Sequence, residues 1–149
     1  MIRLVARGFR LPAEERRLAL EALLLLAAIR VLLAVLPFRL AMARLGLRPR
    51  GIGVGATMAD GTDVAKVITR VGRAVRRGAK IAPFRAVCLQ QALAAALMLR
   101  RRGLSAEVHF GVARPSDTPL QAHAWSICRG VVVTGEDVMG RFTPLAVFS

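Results

Sequence analysis

Cys88, His123 and the adjacent acids Glu136 and Asp137 are the residues whose types and order can do chemistry together. A thiol becomes a nucleophile when an imidazole accepts its proton. A carboxylate fixes the imidazole tautomer, and backbone N–H groups stabilise the oxyanion on the attacked carbonyl. Cysteine, histidine and acid stand here in the order of a cysteine hydrolase triad. The chemistry they predict is acyl transfer through a thioester.

The elements around these residues must position them. Cys88 opens C-L-Q-Q-A-L-A-A-A-L-M-L-R-R-R-G, which reads as a loop from Pro83, about four turns of mostly apolar helix, and a stop at Gly103. At a helix start, unpaired N–H groups and the positive end of the dipole favour negative charge on the sulfur. The second cysteine, Cys128, falls at a strand end. Both are expected to be free thiols, and too few Cys and His residues cluster to suggest a metal site.

After the helix the apolar period shortens to two. In A-E-V-H-F-G-V, Ala106, Val108, Phe110 and Val112 share one strand face while Glu107, His109 and Gly111 share the other, with His109 expected to be exposed. A-H-A-W-S-I-C is a second strand, Arg129-Gly130 a hairpin turn, and V-V-V-T a third strand. His123 sits between two alanines, on one face with Trp125 and Ile127, a face the Cys88 helix is expected to cover. That makes His123 the better base and Trp125 a candidate substrate contact.

The acid is left open by pairing alone. A turn centred on Arg129-Gly130 sets His123 opposite Glu136, whereas a bulge at Gly135 brings Asp137 there instead. The closing segment, with Phe142, Leu145 and Phe148, is expected to cover one end of the sheet.

Upstream, residues 1–10 are basic and expected to fray. A helix is predicted from about Pro12 to Leu36, with Pro37 interrupting it and a short helical piece, F-R-L-A-M-A-R-L, ending at Gly46. The core of the long helix is apolar enough to suggest a membrane span, but Glu21 and Arg30 divide it, so a buried or partner-docking helix is expected. Residues 48–62 read as a glycine-rich linker. Its G-I-G-V-G-A lacks the third glycine of a dinucleotide fingerprint. A further amphipathic helix spans Asp63 to about Arg77. The layout is α+β, with an N-terminal helical region to residue 50 and a core from residue 51 to 149.

The formal charge of +14 attracts anionic surfaces. There is no zinc-finger spacing or aromatic interleaving of the basic residues, so nucleic acid is not expected as a partner.

The Cys88 helix, V-H-F-G-V, A-H-A-W-S-I-C-R-G-V-V-V and R-F-T-P-L, with the earlier L-P-F-R, resemble the lasso peptide biosynthesis B2 proteins. These are a branch of the transglutaminase-like cysteine peptidases. The resemblance implies a transglutaminase/papain-like core, with the nucleophile-bearing helix on a small antiparallel sheet. The implied activity is removal of the leader from a ribosomally made precursor, with Cys88 as nucleophile, His123 as base and no cofactor. Members carry the acid about a dozen residues after the histidine, where this chain has Gly135; Asp137 is the first choice and Glu136 the alternative.

The resemblance also implies partners. These are the precursor, a separate leader-recognition B1 protein, since an apolar helix opens this chain, and the cyclase that closes the lasso ring. Without a recognisable signal peptide the expected location is cytoplasmic, with membrane contact through the first helix. Two other readings compete: a transglutaminase-like acyl transferase using an amine acceptor, and a membrane-associated scaffold with a degenerate triad.

Overall fold

The computed structural model describes residues 12–51, 61–113, 119–137 and 139–149. The expected fraying of residues 1–10 and most of the expected glycine-rich linker lie outside them. Four helices are present among the described residues: α1 (Ala13–Val35), α2 (Phe38–Arg44), α3 (Thr62–Ile81) and α4 (Cys88–Arg100). The strands are β1 (Pro49–Arg50), β2 (Glu107–Ala113), β3 (Gln121–Cys128), β4 (Val131–Thr134) and β5 (Thr143–Phe148). They form one antiparallel sheet in the order β1-β5-β2-β3-β4. The α+β arrangement expected from the sequence is the one observed.

Helix α4 is apolar all round, and Ala92 to Leu99 are buried without a break, as a helix enclosed on every side must be. It packs on β3, while α3 lies beside it against β4 and α1 crosses both helices. One hydrophobic cluster joins Ala22, Leu26 and Ile29 of α1, Ile68, Val71 and Val75 of α3, Leu93 of α4, and Val108, Ala124, Cys128 and Val133 of the sheet.

Ion pairs reinforce that stacking at its margin. Glu14 meets Arg70 and Glu15 meets Arg77, tying α1 to α3, and Glu21 holds Arg101 and Arg102 just beyond α4. The hydrogen bond from Arg102 is the main reason the Glu21 carboxyl titrates below its ordinary value.

Three elements depart from the sequence reading. Helix α3 continues past Arg77 to Ile81, because Gly78 is buried against Ala22 of α1 and packing outweighs its poor helix propensity. The closing segment does more than cover the sheet: β5 inserts between β1 and β2 and bulges opposite Phe110 and Gly111. Its Phe148 then meets Phe110 and Phe38 edge-on, at 5.4 and 6.0 Å between ring centroids. Finally, Pro49–Arg50 pairs with β5 as a minimal edge strand rather than belonging to the linker.

The approach of α3 to the sheet depends on Gly72. A Cβ there would lie 2.6 Å from the Val133 carbonyl oxygen, which also accepts a hydrogen bond from Arg76 at 3.2 Å. Gly72→Ala gains up to about 1 kcal/mol of helix propensity but forces α3 off β4 at a cost of about 1–3 kcal/mol. The net expectation is a lower urea midpoint for Gly72→Ala. An unchanged or higher midpoint contradicts this packing.

Candidate active site

The turn ahead of Cys88 is fixed by its own side chains. The Val87 N–H donates to Gln90 Oε1 at 3.3 Å, and Gln91 Nε2 donates to the Ala86 carbonyl at 2.9 Å. From outside, the Arg30 guanidinium lies over the Phe84 ring, 5.2 Å from its centroid. Val87 has no side-chain oxygen to cap the helix, so the first-turn amides remain available to an anion beside the sulfur. A glutamine three residues past an N-cap is a signal that sequence reading can use. The Arg30 and Phe84 contact, between residues distant in sequence, has no such signal.

The two cysteines are both free but differ in setting. Cys88 is half-buried at the helix start. Cys128 is fully buried; its thiol donates to the Ser105 carbonyl at 3.2 Å, and burial pushes its pKa up. Of the two, only Cys88 has the setting of a nucleophile.

His123 is the third residue of β3 and pairs with Gly111. Phe142 tilts against its ring at 5.3 Å, a neighbour that the sequence reading assigned only to covering the sheet end. Burial lowers the imidazole pKa, and the Asp137 carboxylate opposes that shift through space. The imidazole is therefore neutral at pH 7, the form that accepts a proton.

A bulge brings Asp137 to His123. Cys128 faces Val131 and Ile127 faces Val132, but Ser126 faces Thr134, so Val133 is an extra residue on β4. The buried Ser126 and Thr134 hydroxyls lock this offset with a 2.8 Å hydrogen bond. Gly135 follows at φ +81, and a Cβ there would stand 2.6 Å from Trp125 Cβ. The sequence reading placed a reversing bulge at Gly135. The observed one lies two residues earlier and has the same effect, turning the register from Glu136 towards Asp137.

Two expectations about the sheet faces need correcting. Val108, Ala124 and Cys128 line the core shared with α4, whereas His123 and Trp125 belong with His109 to the opposite face. Helix α4 packs on β3, whose Ala124 and Cys128 join its core while His123 does not, so the helix does not cover His123. Nor is His109 exposed: it stacks on Trp125 at 5.7 Å and bonds Glu107 Oε2 at 3.1 Å, since the indole needs cover on that face. Trp125 itself is buried, covered in part by His109.

No hydrogen bond joins Cys88 to His123 among the described residues. The bond from Cys128 to Ser105 ties the end of β3 to the segment just past α4. The 13-residue helix runs back about 20 Å from there, and the strand returns about 17 Å to His123. The structure places Asp137 within electrostatic reach of His123, with no hydrogen bond contributing to the charge state of the imidazole.

The lowered His123 pKa fixes the sign of a pH effect. The unfolded imidazole titrates near ~6.5, so the buried neutral ring contributes its full stability above that pH and loses it as pH falls through the folded value. His123→Gln removes this proton uptake. Its urea midpoint should drop less than that of wild type between neutral and mildly acidic pH, and an equal drop contradicts the assignment.

The sequence profile of the transglutaminase-like superfamily matches residues 23–147. No curated protein and no solved structure matches the chain. The match extends from α1 through β5, and with the mixed helix and antiparallel sheet fold it shows that the chain belongs to the transglutaminase-like superfamily, whose chemistry is that of cysteine peptidases and acyl transferases.

Proposed function

We propose that the chain is a cysteine peptidase that removes the leader from a ribosomally synthesised lasso peptide precursor, with Cys88 as nucleophile, His123 as base and Asp137 as the acid. The observation that supports this reading is the bulge at Val133, with Asp137 within electrostatic reach of His123. The resemblance of the Cys88 helix and A-H-A-W to the lasso B2 proteins supplies the substrate class.

In this scheme His123 takes the Cys88 proton and the thiolate attacks the scissile carbonyl carbon. The oxyanion draws on the first-turn amides of α4. As the C–N bond breaks, the imidazolium passes its proton to the departing amine. Water then attacks the thioester with His123 as base, releasing the leader carboxylate and restoring the thiol. Asp137 keeps the imidazole oriented throughout. A separate B1 protein would present the leader, and the freed amine would go on to the ring-closing cyclase. An amine in place of water would make the same acyl-enzyme an acyl transferase.

Candidate precursors incubated with the chain and its leader-binding partner, followed by mass spectrometry, test this. Wild type should release leader and core as a hydrolysed pair. Cys88→Ala should leave the precursor intact, and Cys128→Ala should still cleave it. Cleavage by Cys88→Ala, or a product joined to an amine instead of water, overturns the assignment.

A further inference from the structure

Helix α1 is apolar on two opposite sides. Ala19, Ala22, Leu26 and Ile29 are buried. Leu20, Leu24, Val31 and Val35 recur at helical spacing on the other side and are 56%, 63%, 63% and 72% exposed. Ala27 and Ala28 lie among them, and the stripe borders a shallow apolar groove that reaches Leu32 and Leu36. Of the two charges that interrupt this run in the sequence, Glu21 turns towards Arg101 and Arg102, while Arg30 stays exposed beside the strip with its guanidinium over Phe84. What remains is an uncharged aliphatic strip about 22 Å long, extended past Pro37 by the partly exposed Phe38 and Leu40.

Both ends of the strip are basic. Arg16 and Arg17 precede it, Arg39 and Arg44 follow it, and none of the four forms an ion pair among the described residues. A second copy of the chain would bring another net charge of +14 against this one. The strip also lacks the Trp and Tyr anchors that carry binding energy in protein interfaces. A uniform aliphatic surface bounded by arginines fits a bilayer surface with anionic head groups. Because the inward side of α1 belongs to the core, the helix can lie along such a surface but cannot cross it.

We propose that the outer face of α1 and α2 is a membrane-docking surface, seating the aliphatic strip in the acyl boundary of an anionic bilayer while Arg17 and Arg39 engage its head groups. The fold then rests on the membrane with its sheet on the far side of the helical layer.

Co-sedimentation of the full chain with phosphatidylcholine vesicles, alone or with about one-third phosphatidylglycerol, tests this. The wild type should pellet with the anionic vesicles. The neutral double variant Leu24→Ser with Val31→Ser should bind them at least about a hundredfold more weakly, as losing two buried aliphatic side chains implies, while keeping its helical circular dichroism. Arg17→Gln with Arg39→Gln, both exposed, should weaken binding by about thirtyfold. Undiminished binding by the serine variant would mean attraction by net charge alone and would overturn the proposal. So would binding unaffected by the arginine changes, absence of vesicle binding, or a lipid-free dimer that the serine changes dissociate.

Discussion

The one-residue bulge on β4 is the constraint on which the site depends. An unbroken hairpin from the Arg129-Gly130 turn would carry Glu136 into line with His123 and turn Asp137 away. The extra residue, Val133, reverses that. The buried Ser126 and Thr134 hydroxyls hold the offset because slipping the register by one would leave both without a partner in the core. Gly135, at positive φ against Trp125, lets the chain leave the strand without displacing the indole. Backbone geometry at three consecutive residues therefore decides which carboxylate acts on the imidazole.

The same economy governs the helices. Glu21 and Arg30 look, in the sequence, like interruptions of an apolar run. In the fold they fasten α1 to the end of α4 and to the loop before Cys88. The loop before Cys88 is thus braced from one side by α1 and from the other by Gln90 and Gln91. With Glu21 turned inward, the outer face of α1 keeps an aliphatic strip bounded by exposed arginines.

Much of this was legible in the sequence, because periodicity and punctuation are local. Cys88 at a helix start, the alternation that puts His123 with Trp125, the turn at Arg129-Gly130 and the break at Pro37 all follow from nearby residues. The features that were not legible depend on residues far apart. Which sheet face α4 covers is decided by Ala124 and Cys128 packing into a core that includes α1. The cover over His109 is Trp125, on the neighbouring strand. The insertion of β5 beside β2 needs a partner strand that no local pattern names. The bulge itself was foreseen only as an alternative, since Val133 resembles its neighbours and its displacement rests on the Ser126 and Thr134 pair across the hairpin.

The central claim is that His123, set by Asp137, activates Cys88, and the alkylation rate of Cys88 by iodoacetamide at pH 7 tests it most directly. Cys128, buried and hydrogen-bonded, should react slowly enough to serve as an internal reference. The account predicts that His123→Ala slows the Cys88 reaction by at least about tenfold, that Asp137→Asn slows it too, and that Glu136→Gln leaves it unchanged. A rate indifferent to His123, or one that responds to Glu136 and not to Asp137, contradicts the account.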